Sequence, residues 1–332
     1  MPVTFRDLIA DNKRKSFWLV AGFCLFIIAA ALILALGVAA YWFPDAIAHL
    51  DFRQAALVGA LAGGFAFLVS TLSYFEGDSL ILGISGAREI AHRDDPELFN
   101  VVEEMAIAAG LPMPRVYLIL DPAPNAFATG RDPEHASVAI TTGLRAMLNR
   151  DELQGVIAHE MSHVRNYDIR LMLLLAVLIG TIVMLSDLFW QMLRFTSGGS
   201  RGSKSKSDKG GGVIVLVILV LALLFALVAP ILAQIIQLAV SRQREFLADA
   251  SAVELTRNPL GLAGALRKLD ADPHELKSAN RGTAHLFIAN PIKKFSDRGQ
   301  HIWASHPPIQ ERIARLEALA GAGATRQVPA AN

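Results

Sequence analysis

The sequence predicts a mainly α-helical integral membrane protein in which four transmembrane helices carry a polar α+β domain containing a small sheet. Three observations predict it. Of the 332 residues, 53% are hydrophobic and only 18% are charged, which is too apolar for an ordinary soluble domain. Four long stretches are nearly free of charge. Two polar segments, 76–168 and 242–332, lie between and after them and are together large enough for one globular domain. The formal net charge of +1 excludes a nucleic-acid partner, because a phosphate backbone is met by a concentrated basic face with a large charge excess. The single cysteine, Cys24, sits in an apolar run, so neither a disulfide framework nor a cysteine metal cluster is available.

The N-terminal segment 1–16 carries Arg6, Lys13, Arg14 and Lys15 ahead of the uncharged stretch 17–40. That stretch is longer than a signal-peptide core and suits a bilayer span, so it reads as a retained signal anchor. A loop, 41–54, leads to a second span at 55–75, where Gly63-Gly64 permits close approach of another helix backbone. The third span is 171–193 and the fourth 213–241, in which Pro230 kinks the helix rather than ending it. Asp187 lies close enough to the end of its span to reach the interface, and Pro230, Gln234 and Gln237 read as helix-packing residues. The connector 194–212 contains SGGSRGSKSKSDKGGG, which cannot bury enough apolar surface to order itself.

In the first polar segment, Asp95-Pro96 reads as an N-cap followed by proline at the first helical position, opening a helix over 97–109 that ends at Gly110. Two β-prone runs, 116–120 and 137–141, predict a small sheet, joined by a loop containing Pro122, Pro124, Asn125 and Gly130. The segment 151–166 has helix-forming composition. In the second polar segment, 309–319 has helical periodicity with Glu311, Arg312, Arg315 and Glu317 as its charges, and the chain from Gly321 onward reads as a frayed tail.

The helix at 151–166 contains HEMSH, 159–163. His159 and His163 are four apart and share a helix face, so two imidazole nitrogens can meet one Zn²⁺. Glu160 beside them can take a proton from the attacking water while the metal polarises a peptide carbonyl. A chance match to H-E-x-x-H arises in on the order of one in a hundred such chains, and two histidines satisfied by polar neighbours would look the same. A zinc peptidase needs a third protein ligand and an open fourth position. SRQREFLADA, 241–250, offers Glu245 and Asp249 on one helix face, suited to one metal-binding carboxylate and one that orients a ligand histidine. Taken alone, that run also fits a solvated charged turn after a span. His49, His92, His135, His274, His285 and His301 have no partner pattern and read as surface or packing residues.

HEMSHVRNYD (159–168), SRQREFLADA (241–250), PAPNAFATGRDPEH (122–135) and SHPPIQERIARLEAL (305–319), in that company of four spans, resemble the HtpX-type membrane zinc peptidases, relatives of the CAAX prenyl proteases. The resemblance implies a zincin-like metallopeptidase domain with one Zn²⁺ per chain held by His159, His163 and Glu245, Glu160 as general base, and Asp249 behind a ligand histidine. It further implies that Asn125 and Ala126 belong to an edge strand binding an extended substrate by backbone pairing. His306 and Arg312 match polar residues lining the site, where they could stabilise the oxyanion. The implied activity is metalloendopeptidase action on misfolded or damaged membrane proteins, as quality control under stress, at a bacterial inner membrane with the site facing the cytoplasm.

Rival readings are a CAAX-type protease, which would need more spans, and an intramembrane protease. Against the latter, Arg165, Asn166, Asp168 and Arg170 place HEMSH just outside the hydrocarbon. A non-enzymatic scaffold or transporter is the rival from another class. Basic residues in 1–16 predict a cytoplasmic N-terminus, with Arg53 the one basic residue of the first loop. Counting spans then puts the connector outside, although its Arg194, Arg201, Lys204, Lys206 and Lys209 favour the inside. A single metal ion requires HEMSH and Glu245 on one side, so 171–241 is expected to be a full hairpin, with a re-entrant one as the alternative.

Overall fold

The computed structural model describes residues 52–177, 242–274, 276, 283, 286–289 and 307–324, with isolated positions in 14–29 and at 220. The chain divides into two units. One joins 1–16, 76–176 and 236–332; the other joins 17–75 and 177–235. Among the described residues no helix is long and apolar enough to cross a membrane. The expected spans at 17–40, 171–193 and 213–241 lie largely outside those residues, as do the connector 194–212 and Asp187, Pro230, Gln234 and Gln237. The expected span 55–75 falls within helix α1 (Phe52–Ile84), where side chains are described only in part.

In chain order the first unit contains β1 (Ala87–Glu89), α2 (Pro96–Ala109), β2 (Arg115–Ile119), β3 (Ala126–Gly130), β4 (Ala136–Thr141), α3 (Thr142–Met147), α4 (Arg150–Arg165), α5 (Arg242–Thr256), α6 (Pro259–Ala271) and α7 (Ile309–Ala324). The start of α2 follows the expectation. The Asp95 side chain accepts from Leu98 N, Pro96 opens the helix, and Gly110 closes it at φ 68°, a left-handed conformation that glycine adopts without a Cβ penalty. Helix α7 runs five residues past the expected end, so the tail expected from Gly321 begins inside the helix.

The sheet has four strands in the order β1-β2-β4-β3, with β2 and β4 parallel and both outer pairs antiparallel. Two of these strands correspond to the expected runs. The segment read as a loop contains β3, whose Ala126-Phe127-Ala128-Thr129-Gly130 is wholly buried. Its small residues have weak β propensity, and burial against neighbours decides the conformation instead. β3 lies at the sheet edge. Thr141 N donates to Asn125 O, so by the period of two the backbones of Ala126 and Ala128 turn away from β4.

Helix α4 is the central element, packed by α2, α5 and α6. Twelve of its residues are buried, and its start is fixed by a capping box: Asn149 accepts from Glu152 N while Glu152 accepts from Asn149 N. The α4–α6 crossing is a backbone contact. A Cβ on Gly155 would stand 2.6 Å from Leu262 N and 2.8 Å from Leu262 Cα, too close for any side chain. Gly155→Ala should therefore force the helices apart, destabilising the chain by about 1–3 kcal/mol. A thermal melt of the detergent-solubilised protein unchanged by the substitution would refute this account of the crossing.

Candidate metal centre

His159 and His163 lie one turn apart on α4 and are almost completely buried. Their Nε2 atoms stand 3.2 Å apart. Each ring is turned by a carboxylate on its other nitrogen. Asp249 Oδ1 lies 3.0 Å from His159 Nδ1, and Asp168 Oδ2 lies 3.0 Å from His163 Nδ1. Such partners hold the proton on Nδ1 and leave the Nε2 lone pair free. Glu245, near the start of α5, faces both rings: Oε2 is 3.7 Å from His159 Nε2 and Oε1 is 3.6 Å from His163 Nε2.

These three side chains could hold one metal ion, and their chemistry fits it. Ligand atoms about 2.0–2.1 Å from a tetrahedral ion stand about 3.3 Å apart, close to the spacing seen here. Two lone pairs facing each other in a dry interior repel unless a cation lies between them. The charges agree. Four buried carboxylates of the cluster (Glu160, Asp168, Glu245, Asp249) against two buried guanidinium groups (Arg244, Arg312) leave two negative charges before the imidazoles are counted, an excess that favours a cation there.

Behind each aspartate stands an arginine. Arg312 clamps Asp249 bidentately, Nε to Oδ2 at 2.9 Å and Nη2 to Oδ1 at 2.7 Å, and Arg244 Nη1 donates to Asp168 Oδ1 at 3.1 Å. Burial alone would raise the Asp249 carboxyl, but Arg312 and His159 outweigh it and hold it below the usual range. Burial alone would lower His163, yet Asp168 and Glu245 push it up to about 9. Burial raises Glu160, the neighbouring Glu245 charge adding to it, while the two histidines and a backbone hydrogen bond from Ala128 oppose.

The structure thus gathers His159, Glu160, His163, Glu245, Asp249 and Arg312. Arg312 touches the cluster from the Asp249 side, its Nη1 donating to Ile288 O at 3.0 Å. Asn125 and Ala126 lie at the start of the edge strand and are buried. His306 falls outside the described residues. His92, His135 and His274 are exposed and pair with Asn100, Asp132 and Asp272. Sequence reasoning missed Asp168 and Arg244. Asp168 reaches back to His163 because Tyr167 takes φ 60°, a left-handed turn at the helix end that its residue type does not announce.

Comparison with known proteins places this geometry. Residues 92–320 match the model of peptidase family M48. A protease HtpX homolog of Caldanaerobacter subterraneus subsp. tengcongensis is 42% identical over 322 residues, covering 95% of this chain and 98% of the relative. One from Lactobacillus helveticus is 43% identical over 314 residues, covering 94% and 98%. Among solved structures, S. mikatae Ste24p is similar at a TM-score of 0.46 and 21% identity, over 93% of this chain and 66% of that one. With relatives matched from end to end at this identity, the chain belongs to peptidase family M48, beside the HtpX proteases, and is a metallopeptidase.

Proposed function

We propose that the chain is a zinc-dependent endopeptidase of membrane-protein quality control. In this proposal four spans hold it in the bacterial plasma membrane, with its site on the cytoplasmic side and misfolded or damaged membrane proteins as substrates. One observation carries the zinc reading: two imidazole Nε2 atoms 3.2 Å apart, each ring backed by an aspartate, with the Glu245 carboxylate facing both. Two nitrogens and one carboxylate form a donor set that suits zinc and leaves a fourth position open. The metallopeptidase membership sets aside the scaffold or transporter reading.

When bound, zinc supplies Lewis acidity, polarising the scissile carbonyl and acidifying the attacking water. His159, His163 and Glu245 are its proposed ligands. Glu160 takes the proton of the water as its oxygen bonds to the carbonyl carbon, then delivers it to the amine nitrogen as the C–N bond breaks. Burial pushes the Glu160 carboxyl upward, which makes it a stronger proton acceptor. The Asp249–Arg312 and Asp168–Arg244 pairs hold the two imidazoles in orientation.

The bilayer reading rests on the uncharged stretches 17–40, 55–75 and 213–241 and on 171–193, whose one charge is Asp187. HEMSH precedes the third stretch and Glu245 follows the fourth, so the site lies within reach of membrane-protein segments emerging at the interface.

Glu160→Gln should abolish cleavage of an unfolded protein substrate while leaving zinc content nearly unchanged; loss of the metal would instead make Glu160 a ligand. Glu245→Ala should lose most of the zinc, whereas Asp249→Ala and Asp168→Ala should each weaken affinity about 10- to 100-fold. Chelator competition measures these values, and a larger effect at Asp249 than at Glu245 would reverse their roles. For topology, single cysteines from Ser203→Cys and Ser278→Cys in a Cys24→Ser background should be labelled from opposite sides by a membrane-impermeant reagent. Labelling of both from the cytoplasm would mean a re-entrant hairpin.

A further inference from the structure

One carbonyl on the free edge of β3 is already engaged, by a bent segment of the same chain, Leu286–Ala289. Ile288 N donates to the Ala126 carbonyl at 3.0 Å, and the Ile288 carbonyl accepts from Arg312 Nη1 at 3.0 Å. The Ala289 carbonyl accepts from Asn125 Nδ2 at 3.1 Å, and Ala289 N lies 3.4 Å from Asn125 Oδ1. Every backbone donor and acceptor of the Ile288–Ala289 pair is therefore met, and none of these bonds involves either residue's side chain. A sheet edge binds an extended peptide in this sequence-independent way. Phe287, fully buried, packs edge-to-face on Phe127 of β3, with ring centroids 5.1 Å apart.

The groups making these bonds belong to Asn125 and Ala126, which the family resemblance implies bind substrate, and to Arg312, which it implies lines the site. A strand added to this edge would run about 4.8 Å from β3, through the space beside Ala126 that Ile288 occupies. Beside it, His159, Glu160 and Glu245 are each no more than 2% exposed, although hydrolysis requires a peptide to reach them.

We propose that Leu286–Ala289 is an internal occupant of the peptide-binding edge, lying where a substrate backbone lies during cleavage, and that substrates bind by displacing it. This rests on the peptidase reading above. The occupant lowers apparent substrate affinity by the fraction of molecules in which the edge is clear, and it restricts cleavage to chains that can compete as extended strands. Folded proteins, which do not present such strands, are spared.

The test uses the full-length, zinc-loaded chain in detergent with unfolded casein as the probe. Ile288→Pro removes the N–H that bonds to Ala126, and Phe287→Ala removes the ring held by Phe127. Each should lower KM about fivefold, the equivalent of one net hydrogen bond, with kcat little changed. Zinc-replete variants whose KM is unchanged or raised would overturn the proposal. A second measurement leaves the occupant intact and decides the matter if the variants fail to fold. In the Glu160→Gln chain, hydrogen exchange at residues 286–289 should accelerate at least tenfold when casein saturates the site. Casein bound with those amides still protected would overturn the proposal, while the peptidase reading would stand. A wild-type chain that holds no zinc and cleaves nothing would instead remove that reading.

Discussion

Two imidazoles that face each other 3.2 Å apart inside the protein are an unfavourable arrangement unless positive charge sits between them, and the surrounding fold is built to keep them there. Their one-turn spacing follows from placing both on α4, which is rigid because a capping box fixes its start and neighbouring helices bury most of its surface. The backbone contact at Gly155 draws α6 against the same helix. Any shift of α4 therefore moves both rings together, and the distance between them is preserved.

The rings' rotation is controlled from elsewhere in the chain. Asp168 follows the end of α4 and Asp249 lies on α5, and each is held by an arginine from a further segment, Arg244 from α5 and Arg312 from α7. A buried carboxylate left alone would cost several kcal/mol; with an arginine it becomes a fixed acceptor that aims a nitrogen lone pair. Arg312 has a double role. It clamps Asp249 and also binds the Ile288 carbonyl, so the element that orients a ring is joined to the backbone that bonds to Ala126 of β3.

Much of this was legible in the sequence because helix periodicity is rigid over short distances. His159, Glu160 and His163 share a turn, as do Glu245 and Asp249, and four-residue spacing predicts a common face. The Asp95-Pro96 start and Gly110 stop of α2 were legible for the same reason, since caps carry local chemistry. What was hidden depended on tertiary contact. β3 was masked by alanine and glycine between proline-rich turns, and its conformation is decided by burial. Asp168 depends on a left-handed turn at Tyr167, and Arg244 in a charged run gives no sign of which carboxylate it meets. Arg312, nominated by resemblance as a group that could stabilise the oxyanion, engages Asp249 and Ile288 through donors whose partners lie 63 and 24 residues away.

X-ray absorption at the metal edge of the purified chain tests the central claim most directly, because it reads the ligands without requiring a substrate. The expected spectrum is that of one zinc per chain, with two nitrogen ligands at about 2.0–2.1 Å and a carboxylate oxygen in a four- or five-coordinate shell. A sulfur ligand, a six-coordinate all-oxygen shell, or a chain that retains no metal while folded would contradict it.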